Sequence, residues 1–142
     1  MEQHMSDISF PIKGSCQCGG VTYELLSAPL KVLACHCVQC QKLSTSAFSI
    51  TAVVLASELV FHGAMTDWSR TCDSGNLSSA KFCPTCGNRI YHVNPAEPNN
   101  IKLKASNLDD TRVLNPSAHI WVSEKQDWFQ LPEGVPTAEK GA

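Results

Sequence analysis

The 142-residue chain has no basic run and no acidic tail, and its net charge is only −2. It therefore lacks the electrostatic footprint of a nucleic-acid binder. No apolar stretch approaches the roughly 20 residues of a membrane span. Met1 to Lys13 is polar and has no apolar h-region of the kind a secretory signal carries. The expectation is a cytoplasmic protein with reduced thiols, no nucleic-acid partner and no membrane. Internal repeats and strong helical periodicity are missing too. Hydrophobic residues make up 43% of the chain, enough for one real core at this length.

Eight cysteines stand out against this plain background, and all but Cys72 fall into three clusters. These are Cys16-Gln17-Cys18, Cys35-His36-Cys37-Val38-Gln39-Cys40 and Cys83-Pro84-Thr85-Cys86. Clustered cysteines in a reducing compartment read as metal ligands. Between them the sequence is rich in β-formers. Strands are expected over residues 21–25, 47–55, 58–62, 65–72, 77–82, 89–93, 101–105 and 118–122, with Trp128 and Phe129 packing behind the last. Asp73-Ser74-Gly75-Asn76 is a hairpin turn, and Val38 to Ser44 is one short helical turn. About eight strands make the class mainly β. The expected organisation is a flexible arm over 1–13, one zinc-binding catalytic domain over 14–136 and a tail over 137–142.

Cys16, Cys18, Cys83 and Cys86 supply four sulfurs, enough for a closed tetrahedral zinc site. In extended chain the thiols of Cys16 and Cys18 point the same way. Cys83-x-x-Cys86-Gly87 has zinc-knuckle spacing. A redox Cys-x-x-Cys should open a helix after a strand, whereas these flanks read as strands.

Cys35, Cys37 and Cys40 leave three ligands, the pattern of an open, catalytic zinc. His36 would point away from them and orient the loop. His92 or His119 could instead complete the set from afar and make it a closed site. Three thiolates with Zn²⁺ carry net −1, a poor generator of hydroxide that favours a soft fourth ligand. The matching reaction is attack of a substrate thiolate on a small aldehyde, forming a C–S bond, or its reverse. Glutathione is the abundant cytosolic thiol and brings two carboxylates. Lys42 and Arg89 are nearby cations that could hold them, or else ordinary surface charges. Ser44, Thr45 and Ser46 could add hydroxyls. Phe48 and Trp121 read as core, and Cys72 as a buried or idle thiol.

The chain resembles the glutathione-dependent formaldehyde-activating enzyme family, the group that includes centromere protein V. The likeness rests on Gly14–Glu24, Cys35–Lys42, Ser46-Ala47-Phe48, Phe82–Gly87, Leu108-Asp109-Asp110 and His119–Val122. Trp128 and Gly134-Val135-Pro136 also fit. The resemblance implies an Mss4-like, tent-like β-fold. It implies a structural zinc on Cys16, Cys18, Cys83 and Cys86, and a catalytic zinc on Cys35, Cys37 and Cys40, so two ions per chain. It implies a carbon–sulfur lyase condensing glutathione with formaldehyde to S-(hydroxymethyl)glutathione; Lys42, Arg89 and Ser46 are the substrate contacts expected from the residues themselves. Gln41, Thr45 and Asn88 depart from the residues common in the family. A non-catalytic zinc module that binds a protein, and a thiol/redox zinc buffer, are the alternatives. The oligomeric state is left open.

Overall fold

The structure, a computed structural model, describes residues 8–141. Residues 1–7 of the expected arm, and Ala142, lie outside the described residues. Among the described residues there are ten strands and one α-helix. The strands are β1 (Ile12–Ser15), β2 (Thr22–Leu25), β3 (Lys31–Cys35), β4 (Ser49–Leu55) and β5 (Leu59–His62). They continue as β6 (Thr66–Thr71), β7 (Leu77–Phe82), β8 (Arg89–Val93), β9 (Asn100–Lys104) and β10 (Ala118–Ile120). The helix α1 spans Val38–Ser44. No helix among the described residues is long and apolar enough to cross a membrane.

The fold is mainly β, as expected, but the count of about eight strands is corrected to ten. The two missed strands have physical reasons. β1 contains Gly14, a poor strand former. A Cβ there would sit 2.5 Å from the Tyr23 ring, so the glycine is what lets β1 lie against β2. β3 runs straight into the cysteine cluster, whose ligand pattern masks a short β segment ending at Cys35.

The strands form two sheets. The smaller has order β1-β2-β5, and the larger β10-β3-β4-β9-β8-β7-β6. Side chains alternate across a sheet, and paired residues share a face. On the large sheet Ala52 pairs with Val32 and Leu103, and Val54 with Ile101. These form the inner face. They pack on Ile12, Tyr23, Leu25 and Leu59 of the small sheet. Tyr23 is 1% exposed, and its hydroxyl donates to Asn107 Oδ1. A side chain of this size contributes about 2–3 kcal/mol by burial.

The opposite face of the large sheet is polar. Cys35 pairs with Ser49, and Thr51 with Lys104, so all four project there together. Ile8 joins the core, and the Ala138 N–H donates to the His119 carbonyl beside β10. Packing thus continues on both sides of residues 14–136.

Candidate metal centre and adjoining clefts

The first cysteine pair is not in extended chain. It lies in a turn between β1 and β2, where Gly19 N–H donates to the Cys16 carbonyl and Gly19 has φ +80°. That corrects the extended geometry expected for Cys16 and Cys18. The turn closes because backbone N–H groups point at sulfur: Val21 at Cys16 (3.3 Å) and Gly20 at Cys18 (3.4 Å). Thr85 and Cys86 N–H groups do the same for Cys83 at 3.4 and 3.5 Å. Asn88 Oδ1 accepts from Gln17 N–H at 3.0 Å and so ties the two cysteine turns together.

The sulfurs of Cys16, Cys18, Cys83 and Cys86 lie within 4.8 Å of one another. The Cys16–Cys18 and Cys18–Cys83 edges are both 3.6 Å. A tetrahedron with metal–sulfur bonds of about 2.3 Å has edges of about 3.8 Å, so the donor set fits zinc. Hydrogen bonds, first from the Asn88 backbone, hold the Cys86 thiol down to about 6. The cluster is compatible with a zinc-stabilised Mss4-like fold.

The second group is Cys35, Cys37 and Cys40, again within 4.8 Å of one another. β3 delivers Cys35, and α1 delivers Cys40 on its buried side. Cys37 is the helix N-cap, its sulfur accepting from Cys40 N–H at 3.3 Å. Hydrogen bonds from Cys35 and Cys37, and then the charge of Lys104, hold the Cys40 thiol down to about 2. Cys37 and Cys40 push Cys35 the other way, with burial adding to it. Lys104 and the neighbouring thiols thus favour a thiolate in this group, the form that binds a metal.

Lys104 is the residue sequence reasoning missed. Its place in an alternating apolar–basic strand suggested a solvent-facing lysine. Instead Nζ donates to Thr51 Oγ1 at 2.7 Å and to Ser49 Oγ at 3.3 Å. Burial lowers its pKa, while the charges of Cys40, Cys35 and Cys37 oppose that. An ammonium has three donors, so one remains to face the thiols. The available signal was register: Lys104 pairs with Thr51, two residues from the Ser49 that pairs with Cys35.

The histidines do not join either sulfur group. His36 is fully buried and turned away from the thiols, its Nε2 lying 2.8 Å from His119 Nδ1. Their rings pack with Phe48 and Phe129, all four pairwise within 5.9 Å. Burial pushes both histidines down. Donation from His36 Nε2–H leaves only a lone pair unpartnered at His36 Nδ1, the cheaper arrangement. Phe129 packs behind β10 as expected, but Trp128 is exposed. His92 Nε2 accepts from Arg89 NH1 at 3.0 Å. Gln41 donates to the carbonyls of His36 (2.8 Å) and Glu124 (2.9 Å), fixing α1 to the C-terminal segment.

A cleft of about 1190 Å³ runs from the four-cysteine group to Ser49 and Lys104, and Cys35, Cys37 and Cys40 are not among its lining residues. Lys42, Ser46, Arg89 and Lys104 line it, with Cys16 and Cys86 at its border. The structure thus brings Lys42, Ser46 and Arg89 to one cavity. Lys42 and Ser46 are exposed, and Arg89 is half-buried. Phe48 and Trp121 are half-buried, and Cys72 is half-buried with a free thiol.

No curated protein matches the chain. Among solved structures, a crystal structure of a Rhodobacter sphaeroides protein, a Northeast Structural Genomics target, is 26% identical with a TM-score of 0.54. The match covers 72% of this chain and 94% of that one. The model of the family described as glutathione-dependent formaldehyde-activating enzyme matches residues 11–124. With its paired cysteine groups and β-architecture in place, the chain belongs to the glutathione-dependent formaldehyde-activating enzyme family.

Proposed function

We propose that the protein is a zinc-dependent carbon–sulfur lyase that joins a thiol, glutathione foremost, to formaldehyde or another small aldehyde. The observation that carries this reading is the three-thiol group with Lys104 beside a cleft lined by Lys42 and Arg89. Cys16, Cys18, Cys83 and Cys86 would hold a structural zinc, and Cys35, Cys37 and Cys40 a catalytic one. A zinc bound by three thiolates supplies a soft position suited to a substrate sulfur and lowers the pKa of that thiol.

The chain's own residues do the rest. Lys42 and Arg89 seat the carboxylates of the thiol, and Ser46 offers a hydroxyl at the same wall. Lys104 balances the excess negative charge of three cysteine thiolates. Thr51 and Ser49 fix its ammonium, so little reorganisation is needed when the substrate enters. The reaction forms one S–C bond, and the thiol's proton ends on the former carbonyl oxygen. No electrons are exchanged. The reading places the protein in the cytoplasm, where clustered thiols stay reduced.

Calorimetric titration of the zinc-loaded protein with reduced glutathione, against S-methylglutathione, tests the proposal. Binding that requires the free thiol supports it. Equal binding of the two, or none of either, sinks it.

A further inference from the structure

A second cleft opens on the polar face of the large sheet, next to the first. Its volume is about 230 Å³. Register explains its shape. Ser78 and Ala80 of β7 are small and make a trough, with Trp68 facing Ala80 and Arg70 facing Ser78 across the β6–β7 hairpin. His92 faces Ala80 from the other side. Lys42 of α1 completes the wall, and Arg89 lines this cleft as well as the first.

Charge in the cleft has one sign. Lys42, Arg70 and Arg89 line it, and no aspartate or glutamate does. The ion pairs among the described residues involve His62, Lys81 and Arg112, so none of these three cations is neutralised by a carboxylate there. Asp67, the nearest acid in sequence, projects to the other face, 3.6 Å from Lys81. Arg89 is also pre-positioned. It donates to His92 and lies 5.9 Å from the centroids of both Trp68 and Phe82. Trp68 is 53% exposed, a large apolar surface left open beside cations. An arginine fork held in place next to an open aromatic suits a carboxylate on a short carbon stem.

We propose that this cleft is a carboxylate-binding subsite, with Arg70 and Arg89 seating an anionic end of the substrate and Trp68 covering its stem. The inference rests on the thiol–aldehyde reading of the first cleft and extends it: Arg89 lines both clefts, and Arg70 and Trp68 join it in holding one carboxylate of the substrate. Formaldehyde has no group to fill such a site. The carboxylate arrives either on the thiol or on the aldehyde, and the experiment separates the two.

The zinc-loaded protein and its Arg70→Gln variant are titrated separately with reduced glutathione, glutathione dimethyl ester and glyoxylate. Binding is followed by tryptophan emission, with Trp68→Phe identifying the signal of that ring. If the thiol brings the carboxylate, glutathione changes the Trp68 emission and its ester does not. Arg70→Gln then weakens glutathione by about tenfold or more. If the aldehyde brings it, glyoxylate does so alone and shows the same loss in the variant. Equal affinities of wild type and Arg70→Gln for both acids, or no Trp68-specific change with either, overturn the subsite. Thiol-dependent glutathione binding that survives Arg70→Gln undiminished, with glyoxylate silent, sinks the subsite and leaves the thiol reading standing. A glyoxylate response lost in Arg70→Gln, without any glutathione binding, keeps the subsite and sinks the glutathione reading.

Discussion

Lys104 Nζ reaches from β9 to Thr51 Oγ1 of β4 at 2.7 Å, placing a half-buried cation on the sheet face that carries Cys35. Its stabilising partners are the three thiols, whose charges oppose the effect of burial on the ammonium. Lys104→Met removes that charge and keeps much of the volume. We expect the three-cysteine site to lose about 10–100-fold in zinc affinity, the range for a group that supports metal ligands. The four-cysteine site should be unaffected. Competition with a graded chelator, followed by metal analysis, reads both, and unchanged affinity at the three-cysteine site would remove Lys104 from the argument.

The two cysteine groups should differ in what they hold together. Cys83 belongs to a set that ties the β1–β2 turn to the β7–β8 turn, and Cys83→Ala should cost several kcal/mol and most of the cooperative transition. Cys37→Ala also loses an N-cap, for about 1 kcal/mol, and should stay folded with one zinc. Circular dichroism melts with zinc content measured on each variant decide this. Similar destabilisation by both would mean that both sites are structural.

Gly63 has φ +100°, and a Cβ there would fall 2.1 Å from the Gly20 carbonyl oxygen. Both the backbone conformation and the neighbouring backbone atom forbid a side chain. Gly63→Ala should lose about 2–4 kcal/mol. Because Gly20 lies in the first cysteine turn, zinc in the four-cysteine site should be lost more readily as well. Urea unfolding tests the first point, and a loss below about 1 kcal/mol would contradict the clash.

Thr45 caps the C-terminus of α1 at φ 47°, ψ 47°, the left-handed region where a β-branched residue is strained. A glycine would hold this conformation without that cost. Thr45→Gly should raise stability by about 1 kcal/mol, less what is lost with the Thr45 Oγ1 bond to the Ser44 carbonyl. A lower urea midpoint in the variant would show that the hydroxyl bond outweighs the strain.

His92 is pushed down to about 3, by burial first and then by the charges of Lys104 and Arg89. Arg70 and Cys40 also act on it, in opposite senses. The unfolded imidazole, near 6.5, binds a proton that the folded one does not. Stability from this group is therefore full above about pH 6.5 and falls as pH drops toward 3. The slope is at most about 1.4 kcal/mol per pH unit. Denaturant titrations of wild type and His92→Gln between pH 5 and 7 should show a shallower dependence in the variant, and parallel curves would rule the assignment out.

The cysteine spacing by itself determined much of the candidate site. Cys16, Cys18, Cys83 and Cys86 fall into one group and Cys35, Cys37 and Cys40 into another, as the sequence indicates. Metal ligands are legible because coordination demands particular residue types at short separations. The β-branched and aromatic runs likewise located most of the strands, and Val38–Ser44 was legible as helical. Only the tertiary structure decided the rest. Lys104 reads as a surface charge until β9 is laid in register beside β4, since which face of a strand is outside depends on its partners. Arg70 and Trp68 look unremarkable until the hairpin sets them across from Ser78 and Ala80. His36 and His119 are 83 residues apart and meet only because β10 pairs in parallel with β3. Ligand chemistry is local and survives in the linear order, whereas charge compensation and cleft shape arise from contacts between strands distant in sequence.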